Sequence, residues 1–258
     1  MTEILRTEGL SRYFGAVTAA EDINVTISEG EIVGVIGSNG AGKTTFINMV
    51  TGYLPPSQGS IAFDGAPIRK LGPRKLMRKG LTRSFQIPQL FLELPVIDNL
   101  AIALAAAEQR QFQMLRPVRT PERLAAANDI LEQMNISRYR DEMVTAMPQG
   151  ARKLLDIAIA MLGNPRMLLL DEPTSGVSME EKYTLMDTVM DAVRQRGLTV
   201  LFVEHDMEIV QRYVTRVLAF ASGVVIKDGP VDEVLADAQV QELVTGKQHR
   251  TSEKEGDT

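Results

Sequence analysis

The chain has 258 residues, 44% of them hydrophobic, with no cysteine, two histidines and a formal net charge of −5. This size and apolar content suit a globular protein of one large or two small domains with a sizeable core. The composition excludes disulfides and thiolate metal sites, leaves little for a structural zinc site, and argues against a nucleic-acid partner, which calls for a dominant basic surface. Any metal is expected to be hard and oxygen-bound. No apolar run approaches the roughly twenty residues of a membrane span, and Met1 to Arg6 lack the form of a signal peptide, so the chain is expected in the cytosol.

In chain order, Ile4 to Arg6, Ile23 to Ile27, Glu31 to Ile36 and Ser60 to Phe63 read as short strands, the last followed by the hairpin signal Asp64-Gly65. Together they predict a mixed sheet carrying the stretch Gly37, Ser38, Asn39, Gly40, Ala41, Gly42, Lys43, Thr44, Thr45, which fits the phosphate-loop pattern G-x-x-x-x-G-K-[ST]. A buried-type strand precedes it, and Thr44 to Val50 suits a packed helix. The chemistry explains the residue types. Glycines at 37, 40 and 42 allow sharp turning and let backbone N–H groups approach phosphate oxygens, while the helix start turns its positive end toward the same anion. Lys43 can reach the β- and γ-phosphates, the Thr44 hydroxyl can ligate Mg²⁺, and Thr45 adds a phosphate contact. A nucleoside triphosphate with Mg²⁺ is the expected ligand.

From Gly72 to Lys79 a basic segment predicts a short exposed helix, and Leu81 to Phe85 a strand. Ile97 to Gln113 and Pro121 to Met134 are helical stretches rich in Ala and Leu, the second opened by Thr120 as N-cap and Pro121 as first residue. Arg110 to Arg119 reads as the loop between them, and residues 87–163 as a helical subdomain. Met167 to Leu170 and Thr199 to Val203 are continuous apolar runs, as strands covered on both faces should be. Between them Ser178 to Arg196 predicts a helix ended by Gly197. Residues 247–258 contain no apolar side chain and are expected to be disordered. There is no internal repeat and no sustained heptad.

Two further signals sit at strand ends. Asp171 and Glu172 directly follow the first apolar run, where ligands bind in open α/β sheets. Alone, the pair could be an exposed acidic strand end. Beside a complete phosphate loop, Asp171 can hold Mg²⁺ through water, and Glu172 can act as general base or orient the attacking water. His205, at the end of the second run, can donate a hydrogen bond to the γ-phosphate. His249 lies in the polar tail and carries no functional reading.

This order of motifs resembles the ATP-binding subunit of ABC transporters over nearly the whole chain up to about residue 246. The resemblance implies an α/β fold with a P-loop NTPase core of ABC ATPase type (residues 1–86 and 164–246), an antiparallel β subdomain, and a helical subdomain (87–163) carrying the signature motif. It implies that Phe14, or Tyr13 in its place, stacks on adenine. Gln86 matches the Q-loop glutamine, which meets Mg²⁺ or the attacking water and links the site to the membrane subunit. Asp171 and Glu172 match the Walker B pair and His205 the switch histidine. Glu29 to Gly34, Thr51-Gly52, Gln86 to Phe91, Val96 to Leu100, Val203 to Met207 and the linker near 108–120 are similar to the branched-chain amino acid importer branch, LivG-like in wording. Lipopolysaccharide-transport and urea-uptake ATPases share much of it. The partners implied are transmembrane permease subunits, a second ATPase subunit and, indirectly, an extracytoplasmic solute-binding protein, with the chain peripheral on the cytoplasmic face of the inner membrane. A soluble ABC ATPase of an assembly or repair system is the alternative of another class.

Two segments depart from that pattern. The signature, normally Leu-Ser-Gly-Gly-Gln, reads Met147-Pro148-Gln149-Gly150-Ala151. In the family it caps the γ-phosphate of ATP held by the opposite subunit, so Pro148, Gln149 and Gly150 are nucleotide-binding residues in trans. Pro148 offers neither hydroxyl nor N–H, which removes at least one charge-assisted contact of about 1.5–3 kcal/mol. Proline suits the first turn of a helix, so the local fold can survive. The loop after Walker B reads Ser175-Gly176-Val177-Ser178, with Ser178 where the family has Asp or Asn. Both changes affect what this chain lends to its partner's ATP, and they predict an asymmetric heterodimer, with tolerated variation in a homodimer as the alternative.

Overall fold

The computed structural model describes residues 2–108 and 117–245. The chain opens with β1 (Glu3–Phe14) and β2 (Val17–Ser28), turned at Gly15 with φ +60°. In β2, buried Ile23, Val25 and Ile27 alternate with exposed Asn24 and Thr26, the mark of a strand with one wet face. β3 (Ile32–Gly37) is buried almost throughout and leads into α1 (Lys43–Val50). β4 (Gln58–Phe63) and β5 (Ala66–Pro67) form a hairpin across Asp64 and Gly65, both at positive φ as a two-residue turn requires. Next come α2 (Pro73–Arg78), β6 (Leu81–Ser84), α3 (Val96–Ala107), α4 (Pro121–Gln133) and α5 (Gln149–Met161). The last third holds β7 (Met167–Asp171), α6 (Met179–Arg196), β8 (Thr199–Val203), α7 (Met207–Tyr213), β9 (Arg216–Ala221), β10 (Val224–Pro230), α8 (Val231–Ala236) and α9 (Ala238–Val240).

The phosphate loop follows a strand of a mixed sheet, as expected, but of the four early strands only β3 belongs to it, and the others form the antiparallel unit that the resemblance implies. A four-stranded antiparallel sheet has the order β2-β1-β4-β5, while β3 leaves it for the middle of a six-stranded sheet, β10-β9-β3-β8-β7-β6. That sheet is parallel except for β10. The physical reason is coverage: β3 is apolar on both faces and needs layers on both sides, whereas β1 and β2 can leave one face in water.

Period-2 alternation sends neighbouring residues of β7 and β8 into two cores. Leu169 and Leu201 face the antiparallel sheet and α1, with Ile4, Ile27, Val33, Phe46 and Phe220. Leu168, Leu170, Val200 and Phe202 face the helices and share one cluster with Leu100, Ile130, Leu155, Met161 and Val189. The helices between β6 and β7 are therefore packed into the same core as the sheet.

Several boundaries fall as the sequence predicts. The Thr120 hydroxyl accepts from Arg123 N with Pro121 at the first helical position, and Gly197 ends α6 at φ +61°, while Ser178, expected as the first residue of that helix, is its cap. In α2 only Leu76 is buried, and Arg74, Lys75, Arg78 and Lys79 face out. α3 ends at Ala107, where Glu108 leaves helical geometry (ψ 130°), and the rest of the stretch expected to be helical, up to Gln113, lies outside the described residues. Residues 109–116, most of the expected loop 110–119, and the polar tail from 246 lie outside the described residues. No described helix is long and apolar enough to cross a membrane.

Candidate functional site

The strand order β3-β8-β7-β6 sets four C-terminal strand ends side by side. Val35 pairs with Val203, Val203 with Asp171, and Leu170 with Ser84, so the loops that follow emerge at one level. These loops carry the phosphate-loop glycines, His205, Glu172 and Gln86. Ligands bind at this edge of an open α/β sheet.

The phosphate loop is built by close approach. A Cβ on Gly37 would lie 2.6 Å from the Phe220 carbonyl oxygen, and one on Gly42, at φ +102°, 2.8 Å from Ala19 O. Gly40, at φ +81°, has nothing near it, and Ser38, Asn39 and Gly40 are exposed, so the loop opens outward. Ala41 is buried beneath it. α1 carries no acidic residue in its first turn, which leaves its positive end uncompensated. Lys43 is only 6% exposed, and its ammonium donates to Gly37 O (2.6 Å) and Ser38 O (3.0 Å). Burial pushes its pKa down, and the charges of Glu172 and Asp171 partly restore it. Thr44 is exposed and Thr45 half-buried at the helix start.

Glu172 is held from two sides. Gln86 Nε2 donates to its Oε2 at 2.6 Å, and His205 Nε2 lies 2.9 Å from its Oε1. Three residues from three loops thus form one hydrogen-bonded chain. Glu172 itself sits at φ +48°, a region costly for a residue with a side chain, and its N–H donates to Val203 O at 2.9 Å. The Gln86 amide nitrogen is committed to Glu172, which leaves only its oxygen for a metal.

Asp171 is buried and has a partner that sequence reasoning missed. Arg83 Nη2 binds Asp171 Oδ2 at 2.5 Å and Arg83 Nη1 binds Asn48 Oδ1 at 2.7 Å, tying β6 to β7 and α1. Among the described residues no group of three or more His, Asp or Glu side chains could hold a metal ion. One carboxylate and the Thr44 hydroxyl nevertheless fit a Mg²⁺ ion that draws its other ligands from phosphate and water.

Three more charged residues were not singled out from the sequence. Glu204 is 4% exposed and accepts from Thr174 N (3.0 Å), the Thr174 hydroxyl and His205 N (3.0 Å), bracing the loop after β7 against the one after β8. Lys153 and Asp156 on α5 are equally buried and bind the backbone around Gln86. A usable signal existed for Asp156, a charge inside the apolar run Leu154 to Ala158, since such a group is rarely buried without a specific partner; Arg83, flanked by Thr82 and Ser84, gave none.

The remaining candidates lie apart from this cluster. Phe14 is 47% exposed at the β1–β2 turn with the Arg12 guanidinium 4.5 Å over its ring, while Tyr13 is half-buried. Pro148 and Gln149 are exposed and Gly150 is half-buried. Pro148 stands at the N-cap of α5, one position before the first helical turn expected for it, and its carbonyl accepts from Arg152 N. The Gln149 side chain lies on Gly176, where a Cβ would come within 2.2 Å of its amide nitrogen. Residues 148–150 therefore rest on the loop after β7. Along β6, a cavity of about 840 Å³ is lined by Tyr53, Met77, Phe85, Gln89 and Ile159, with Arg74 and Arg78 among its charged residues.

A parallel sheet whose strand ends gather a phosphate loop, a carboxylate pair and a histidine defines a P-loop ATPase. The sequence matches the ABC transporter family over residues 20–175. It is 33% identical over 249 residues to an Archaeoglobus fulgidus protein described as a probable branched-chain amino acid transport ATP-binding protein, LivG, covering 95% of this chain and 96% of that one. It is 31% identical to the lipopolysaccharide export system ATP-binding protein LptB of Haemophilus influenzae, covering 96% and 99%. The solved ADP conformation of an ATP-binding cassette of an ABC transporter aligns with a TM-score of 0.85 at 30% identity, over 96% of this chain and all of that one. The chain belongs to the ABC transporter family as an ATP-binding subunit with ATPase activity.

Proposed function

We propose that this subunit powers uptake of branched-chain or other hydrophobic amino acids, or related small solutes, working at the cytoplasmic face of the membrane with permease subunits and a second ATPase. The observation that carries the hydrolytic part is the Gln86–Glu172–His205 chain beside Lys43. Glu172 is the general base, its carboxylate oriented by a donor on each oxygen. His205 stands where it can exchange that bond for one to the γ-phosphate, and Lys43 supplies positive charge to the β- and γ-phosphates. Loop amides from Ser38 to Thr45 bind phosphate oxygens, and the open face of Phe14 stacks on adenine. Asp171, the Thr44 hydroxyl and the amide oxygen of Gln86 would hold Mg²⁺, which neutralises charge on the phosphates. Pro148, Gln149 and Gly150 close over nucleotide on the second subunit.

The importer reading is supported by the LivG relative. The exposed Ile87 and Phe91, in the loop after β6, are the proposed contact with the permease. In the assembled complex, Glu172→Gln should retain ATP binding and lower turnover by about 10²–10⁴-fold. Undiminished turnover would refute the assignment. Deleting the gene should reduce uptake of labelled leucine, isoleucine and valine. Normal uptake with impaired lipopolysaccharide export would instead favour the second reading, which the LptB relative suggests. A chain recovered with soluble assembly partners and no permease would point to the non-transport class.

A further inference from the structure

Lys153 and Asp156 lie one turn apart on the face of α5 that meets the ends of β6 and β7, and both are almost fully buried, at 2% and 5% exposure. A lysine is buried to this degree only where its ammonium has specific acceptors. Here they are two main-chain carbonyls: Lys153 Nζ donates to Gln86 O and, at 3.3 Å, to Glu172 O. One side chain thus bridges the backbone of the two residues whose side chains meet at 2.6 Å. Asp156 secures the same loop on either side of Gln86, accepting from Phe85 N (2.9 Å) and Gln89 N (3.3 Å). Glu172 O also accepts from Ser175 N at 3.1 Å, but that bond is internal to the loop after β7 and does not reach Gln86. Burial lowers the Lys153 pKa against the charges of Asp156, Glu204, Asp171 and Glu172. The group is therefore held at an electrostatic cost, by contacts lying where the two loops meet.

The helix that carries Lys153 begins at Gln149, directly after Pro148. The segment offered to the second subunit's nucleotide and the brace of this chain's own Gln86–Glu172 pair are thus about one turn apart on one rigid element. We propose that Lys153 is a positioning residue that fixes Gln86 against Glu172 and passes movement of the Pro148–Gly150 segment to that pair, so that turnover here depends on nucleotide capture across the dimer. This inference rests on the assignment of Glu172 and Gln86 to hydrolysis.

The test compares Lys153→Met and Lys153→Arg with wild type in the assembled complex, reading kcat, KM for ATP, the Hill coefficient for ATP and thermal midpoint. Lys153→Met should lower kcat at least tenfold and bring the Hill coefficient toward one, with KM within about twofold, because the phosphate loop is untouched. Lys153→Arg, which keeps a cation and several donors, should recover kcat to within about threefold. Unchanged kcat and cooperativity in Lys153→Met would overturn the proposal. So would a loss in which KM and thermal midpoint fail together and Arg restores nothing, since that marks a packing role alone. If Lys153→Met does not fold, an Arg variant with kcat as low as that of Glu172→Gln also overturns it. A fully active Glu172→Gln defeats the hydrolytic assignment itself, whereas an inactive Glu172→Gln beside a fully active Lys153→Met defeats only this inference.

Discussion

At the scale of single residues, the phosphate loop is demanding because backbone passes close to backbone. Gly42 combines φ +102° with a Cβ position 2.8 Å from Ala19 O, so Gly42→Ala must both strain the chain and shift β2. It should cost at least about 1–2 kcal/mol, read as a lower thermal midpoint together with weakened nucleotide binding. Lys43 illustrates the opposite balance. Its burial holds the pKa below the ordinary lysine value, so at neutral pH its charge costs the folded state more than the unfolded one. Lys43→Met should therefore keep or raise the thermal midpoint while abolishing tight ATP binding. Because the folded pKa is lowered, the wild-type protein regains stability relative to the variant as pH rises through that pKa toward the ordinary value. A midpoint that falls with the substitution, or ATP affinity that survives it, would contradict this account.

At the scale of elements, most helix ends and the buried strands β7 and β8 were legible, whereas the lengths of β1 and β2 were not. Thr120 and Gly197 announce their roles because capping depends on one side chain or one φ angle within a few residues, whereas Ser178, read as the first helical residue, is the cap. β1 runs on to Phe14, well past the expected Ile4 to Arg6, because cross-strand partners hold its polar stretch. Val25 N donates to the Thr7 hydroxyl at 3.0 Å and Asp22 N to the Ser11 hydroxyl at 3.0 Å, at points where the ladder register shifts. No local propensity announces those bonds. Asp206 provides a test of how two elements are tied. It caps α7 by accepting from Glu208 N at 3.2 Å and binds Lys182 of α6 at 3.0 Å. Burial raises its pKa, but the Lys182 hydrogen bond and charge, with the Ile209 and Glu208 amides, outweigh that and hold it below the usual value. Its contribution is present above the ordinary carboxylate pKa and is lost as pH falls through the folded value. Asp206→Asn should lower the thermal midpoint at pH 7 and flatten its fall on the acid side; parallel curves for the two proteins would show that the pair contributes nothing.

At the scale of the whole molecule, the proposed function makes the site described one half of what hydrolysis requires. Its own side combines the phosphate loop with the Gln86–Glu172–His205 chain, while the surface it would lend is an exposed proline with no donor at the position expected to supply one. The departures at Pro148 and Ser178 have different structural weight. Ser178 accepts from Glu181 N and serves as a sound helix cap, whereas Pro148 leaves α5 without a side-chain cap. In the assembled complex Pro148→Ser should raise the ATPase rate if the lent surface is limiting. An unchanged rate would mean that Gln149, Gly150 and the helix end suffice, and that the variation is tolerated.

The sequence by itself determined the phosphate loop, the acidic pair and the histidine, because each is a short pattern at the end of an apolar strand and its meaning is local. Only the tertiary structure decided which groups surround them. Arg83 reaches Asp171 across 88 residues, and Lys153 reaches Gln86 across 67, in each case between different elements. Such bonds depend on β6 and β7 lying side by side and on α5 packing against both. Spacing along a chain encodes local backbone geometry, whereas the pairing of buried charges follows from strand order and from the cost of leaving any of them unpaired.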